Sequence, residues 1–88
     1  HLKLFHVDTL KIDQVFIRNA DLKGRDGAII SSMIDMCHKL NIKAVAEGVE
    51  TLESLSFLKD KKCHLAQGFF FSPPMPVEKF EDLLYCSN

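Results

Sequence analysis

Three runs of β-strand character alternate with three helical patterns along this chain, and that alternation restricts the fold more than any other feature. Strands separated by helices pair in parallel, because a parallel neighbour is reached only by a crossover long enough to hold a helix. The strand-like runs cover about residues 7–13, 42–49 and 64–71, and the helical patterns about 27–40, 51–60 and 77–86. In the first helical pattern Ile30, Met33, Ile34, Cys37 and Leu40 recur at three- and four-residue steps, which predicts one buried face. Asp26 is the expected N-cap and Asn41 the expected C-terminal stop.

The next helix is expected to start from a Thr51 cap and to bury Leu52, Leu55 and Leu58. Ser72-Pro73-Pro74-Met75-Pro76 closes the third strand run, since proline lacks a ladder donor and cannot continue a central strand. The last helix is expected to turn Val77, Phe80, Leu83 and Leu84 inward. The connection from Asp13 to Asp26 is longer than an ordinary loop, and its Phe16 and Ile17 must pack somewhere.

Composition narrows the function. At 88 residues there is room for one small domain. Eleven Lys and Arg against 12 Asp and Glu give a net charge of -1, so no bulk field draws the chain to a DNA or RNA duplex or to an anionic membrane. No apolar run approaches membrane-span length. Cys37, Cys63 and Cys86 follow no zinc spacing and read as reduced thiols, with a cytoplasmic location expected. His1, His6, His38 and His64 form no ligand spacing and read as packed or solvent-facing. The chain opens on His1-Leu2-Lys3, which suggests a piece of something longer.

Side chains alternate faces along a strand. Val7, Thr9, Lys11 and Asp13 therefore share a face opposite Leu10 and Ile12, and Lys43, Val45 and Glu47 share one opposite Ala44 and Ala46. In the third run Leu65, Gln67 and Phe69 share a face, with Gly68 marking a point where a backbone or ligand comes close. Lys11, Glu47 and Gln67 thus each fall near the C-terminal end of a strand, the edge where parallel α/β folds bind ligands and do chemistry. Any one of them alone is most simply a wetted strand end, and Lys11 with Glu47 could be only a structural ion pair. Their common position on three strands points to a site.

Val-Asp-Thr-Leu-Lys-Ile-Asp at 7–13, Ala-Val-Ala-Glu-Gly-Val-Glu-Thr at 44–51 and Leu-Ala-Gln-Gly-Phe-Phe-Phe-Ser-Pro-Pro at 65–74 together resemble, in order and spacing, the later motifs of the EAL domain. The resemblance covers nearly the whole chain. It implies an α/β fold made of the C-terminal three βα units of a (β/α)8 TIM-type barrel, with residues 1–88 a C-terminal fragment of a single EAL domain. It also implies a bacterial cyclic di-GMP phosphodiesterase that hydrolyses its substrate to the linear dinucleotide with two divalent cations, Mg²⁺ or Mn²⁺.

Carried over by motif, Lys11 is similar to the lysine that holds the attacking water or a phosphate oxygen. Glu47 matches the acid that binds a metal or acts as general base, and Gln67 the glutamine near the substrate. Glu50 and Asp13 take supporting roles. Lys62 stands where the family commonly has Gly, His64 where Asp is common, Phe69 where Tyr is frequent and His6 where Pro is frequent. The Glu-Ala-Leu signature and the Asp-Asp-Phe-Gly segment are not among these residues. The chain alone is therefore expected to be inactive and, with strand edges uncovered, to self-associate. The rival reading is a non-hydrolytic EAL-like receptor or interaction module. A third reading, a free-standing three-unit open sheet of flavodoxin type, finds no phosphate loop in this sequence.

Overall fold

The structure is a computed structural model that describes residues 9–68 and 73–80. Four strands make one sheet: β1 (Thr9–Ile12), β2 (Lys43–Glu47), β3 (Leu65–Gln67) and β4 (Met75–Pro76), in the spatial order β1-β2-β3-β4. The β1–β2 and β2–β3 pairs are parallel, and β4 returns antiparallel beside β3. Three helices join them: α1 (Gln14–Ile17), α2 (Arg25–Leu40) and α3 (Leu52–Asp60). Residues 77–80 are also helical. The parallel strands alternating with helices that the sequence predicts are present.

Register explains where the core sits. Ile12 pairs with Ala46, Ala46 with Ala66, and Leu10 with Ala44, so one face of the sheet carries small or branched apolar side chains. Ala44, Ala46 and Ala66 are fully buried there, and their methyl groups let α2 and α3 approach the sheet closely. Ile30, Ile34 and Cys37 of α2, Leu55 and Leu58 of α3, and Val77 and Phe80 after β4 complete the core.

Several details differ from the sequence expectations. The helix predicted over about 27–40 starts at Arg25, and its N-cap is Gly24 rather than Asp26. Asp26 instead sits in the first turn, where its Oδ2 accepts a hydrogen bond from the Asp21 backbone N–H (2.8 Å). Leu40 and Leu52, expected inside, are exposed, because the apolar stripe on each helix is narrower than the spacing suggests. Asn41 does end α2, in the left-handed conformation (φ 57°), and Thr51 Oγ1 caps α3 by accepting from Ser54 N–H (3.1 Å).

The long connection after β1 is not bare loop. Asp13 Oδ1 accepts from Val15 N–H (3.0 Å) and caps α1, which turns Ile17 into the core while Phe16 stays partly exposed. The proline-bearing segment that cannot continue β3 comes back as the short edge strand β4, the place in a sheet where a missing N–H is tolerated. The expectations for Val7, Phe69 to Ser72, Leu83 and Leu84 lie outside the described residues.

Candidate active site

Lys11, Glu47 and Gln67 all end up at the C-terminal edge of the parallel strands. Glu47 and Gln67 are direct register partners at the last rungs of β2 and β3. Lys11 lies two register positions earlier on the neighbouring strand, opposite Val45, and shares a face with Glu47 because that offset is even. Its Nζ reaches to 3.9 Å from Glu47 Oε2, with the lysine side chain largely open to solvent and the glutamate only 30% exposed. Val45, 2% exposed, forms an apolar floor between them and lies outside the helix-facing core.

Local backbone chemistry holds the rim in place. Gly48, directly after Glu47, has φ +74°, and a Cβ there would lie 2.6 Å from the Cβ of Gln14. Only glycine satisfies both the left-handed turn and the close approach of α1. The next residue, Val49, donates its N–H to the Gln67 carbonyl (3.0 Å), which ties the loop after β2 to the end of β3. Gly68 faces the Phe80 ring at 3.4 Å from its ideal Cβ, so the close approach predicted at this glycine is made by a core aromatic.

The other two residues singled out from the sequence are placed differently. Asp13 follows the last residue of β1, but its carboxylate is engaged in capping α1. The capping role had a local signal, an Asp just before a short apolar stretch, which spacing arguments aimed at catalysis passed over. Glu50 is exposed on the loop after β2 and opens onto a separate cleft of about 260 Å³ shared with Arg18, Asn19 and Glu53. The structure therefore groups Lys11, Glu47 and Gln67 and sets Glu50 to one side.

Glu47 offers the oxygen donor that a hard divalent cation takes, and it is partly desolvated at the rim. Among the described residues no group of three or more His, Cys, Asp or Glu stands close enough to hold a metal ion. The residues fit one side of such a site. Also among the described residues, no helix is long and apolar enough to cross a membrane.

A parallel sheet flanked by crossover helices, with a cation, a carboxylate and an amide near successive strand ends, belongs to the α/β class, in which ligands bind at the C-terminal ends of the strands. Comparison with known proteins makes this specific. The sequence matches the EAL domain over residues 1–74, and the chain belongs to the EAL domain family.

The chain is 42% identical over 84 residues to "Cyclic di-GMP phosphodiesterase NbdA" of Pseudomonas aeruginosa, covering 96% of this chain and 11% of that protein. It is 38% identical over 80 residues to "Cyclic di-GMP phosphodiesterase PdeL" of Escherichia coli, covering 91% of this chain and 22% of that one. Among solved structures it resembles "PaMucR Phosphodiesterase, c-di-GMP complex" with a TM-score of 0.66 at 41% identity, over 83% of this chain and 32% of that chain. It also resembles the Klebsiella pneumoniae BlrP1 manganese/cyclic di-GMP complex, with a TM-score of 0.66 at 40% identity, over 83% of this chain and 19% of that one. The chain thus spans only a tenth to a third of these proteins. The structural neighbours are EAL domains, which are TIM barrels, so the fold predicted from the motifs is the one found.

Proposed function

We propose that this chain supplies one side of the active site of a bacterial cyclic di-GMP phosphodiesterase, as the C-terminal βα units of its EAL domain. The observation that carries this reading is the convergence of Lys11, Glu47 and Gln67 on one strand-end rim, with Glu47 and Gln67 in register and Lys11 within 3.9 Å of Glu47. Relatives named as cyclic di-GMP phosphodiesterases support the substrate. Solved relatives with manganese or calcium support a divalent cation, for which Mg²⁺ or Mn²⁺ is the choice here.

In this reading Glu47 holds a cation through its carboxylate or accepts the proton of the attacking water. The Lys11 ammonium orients that water or a phosphate oxygen, and the Gln67 amide lies against the nucleotide. Asp13 supports the rim by fixing α1, and Glu50 acts from the neighbouring loop. Bound cations supply an acidified water and offset charge on the attacked phosphate. Water adds to phosphorus, one P–O ester bond breaks, and the linear dinucleotide pGpG leaves.

The described residues carry too few carboxylate donors on the rim, and we expect the 88-residue chain to be inactive alone. In the same reading the intact protein works in the cytoplasm, with any membrane anchor residing in other domains. Cyclic di-GMP turnover by the intact protein, with Lys11→Ala and Glu47→Ala each lowering kcat at least a hundredfold while circular dichroism is unchanged, is the expected result. Full activity in either variant would remove that residue from the chemistry. Tight nucleotide binding without turnover in the unsubstituted protein would instead support the non-hydrolytic receptor.

A further inference from the structure

At the opposite end of the sheet from the candidate site, two histidines meet. His38 of α2 and His64, just before β3, stack with ring centroids 4.7 Å apart at an interplanar angle of 40°. Each ring is also bonded to main chain. The Ala44 backbone N–H donates to His64 Nδ1 (3.0 Å), and His38 Nε2 lies 2.8 Å from the Lys62 carbonyl oxygen.

These partners fix proton positions. A backbone N–H can only donate, so His64 Nδ1 must be the bare nitrogen and its proton must sit on Nε2. A carbonyl can only accept, so His38 Nε2 carries a hydrogen, a bond that neutral and charged His38 both make. The two rings are therefore not equivalent: His38 keeps its bond on protonation and His64 loses its own.

The lost bond matters because of where Ala44 lies. The β2–β3 ladder begins at Val45 and Leu65, so the His64 ring takes the Ala44 N–H one residue before backbone pairing starts. Ala44 is fully buried, and Cys63 Sγ already contacts its carbonyl at 3.5 Å. With His64 protonated, two donors face each other and a buried N–H is left without an acceptor.

The surroundings oppose a second charge. Burial lowers the His64 pKa most, followed by the charges of His38 on α2 and Lys43 on β2, while Glu78 after β4 pulls the other way. Lys59 of α3 and Lys62 of the following turn line the same cleft.

We infer that His38 and His64 form an acid-released clasp on the N-terminal edge of the sheet, in which protonation of His64 frees the start of β2 from the start of β3. A group whose folded pKa is depressed stabilises the fold above its unfolded value and loses that contribution as pH falls through the folded value. Stability from the clasp is thus complete above about pH 6.5, the ordinary histidine value, and drains away below it. Each unit of depression is worth about tenfold in the folding equilibrium.

The test is a pH series of urea unfolding, from pH 8 to 5, on the intact protein and on His64→Asn and His38→Gln. Asparagine offers an acceptor near the Nδ1 position and does not titrate, so His64→Asn is expected to flatten the acid slope while keeping the stability seen at pH 8. His38→Gln keeps a donor for the Lys62 carbonyl and is expected to make the slope shallower by relieving one opposing charge. An NMR titration of the unsubstituted protein reads the bond directly, the Ala44 amide proton moving upfield with the same midpoint as the His64 ring. An unchanged acid slope in His64→Asn, or an Ala44 amide that does not follow the His64 ring, overturns the clasp.

Discussion

Cys63 shows how far a single side chain's chemistry depends on what surrounds it. Burial pushes its thiol up to about 11, helped by the nearby Cys37, against hydrogen bonds around Leu65, Ala46 and His64 that pull it down. Only about one part in a thousand is then thiolate at pH 8, so Cys63 is expected to resist iodoacetamide until the protein unfolds. Labelling at the rate of a free thiol in the folded state would contradict this. Lys62 adopts φ +65°, a left-handed conformation that costs a residue with a Cβ roughly 1 kcal/mol. Lys62→Gly is expected to stabilise the protein by about 0.5–1 kcal/mol in chemical denaturation, since the carbonyl that faces His38 is kept. Gly48 is the opposite case. Gly48→Ala meets both a positive φ and the side chain of Gln14, so it is expected to cost more than about 1 kcal/mol and, under the proposed function, to lower the kcat of the intact protein by displacing Glu47.

At the scale of elements, caps and faces carry the argument. Thr51 ends the loop that Gly48 begins and starts α3 with an Oγ1 acceptor, so Thr51→Ala is expected to lose about 1 kcal/mol of stability. Ile34 on α2 is buried against the sheet, and Ile34→Ala is expected to cost about 2–5 kcal/mol in urea unfolding. The caps at Asn41 and Thr51 were legible because each depends on a residue and its immediate neighbours. The width of each buried stripe was not. Leu40 and Leu52 lie at positions that a periodic pattern assigns inward, but the sheet covers too narrow an arc of each helix to bury them. The short helix α1 was hidden for a related reason: four residues make too little periodic signal, and its start is visible only as a capped turn.

For the whole molecule, the described sheet has two open edges, at β1 and at β4. The β4 side is blunted by proline, whereas β1 offers an uninterrupted row of backbone groups. We expect the isolated 88-residue chain to associate through that edge, and a monomer in light scattering at micromolar concentration would contradict this. In a closed barrel a neighbouring strand fills such an edge.

The sequence by itself determined the alternation of parallel strands with helices, the family to which the chain belongs, and the three polar residues at the strand ends. These are local or near-local properties, set by side-chain parity, periodicity and short motifs. Only the tertiary structure decided that Lys11 comes to Glu47 while Glu50 turns to another cleft, and that His64 completes the backbone of Ala44. Those partners lie on different elements, and their meeting depends on strand register and loop direction. No stretch of neighbouring residues encodes such a contact; it exists once the sheet has closed over its core.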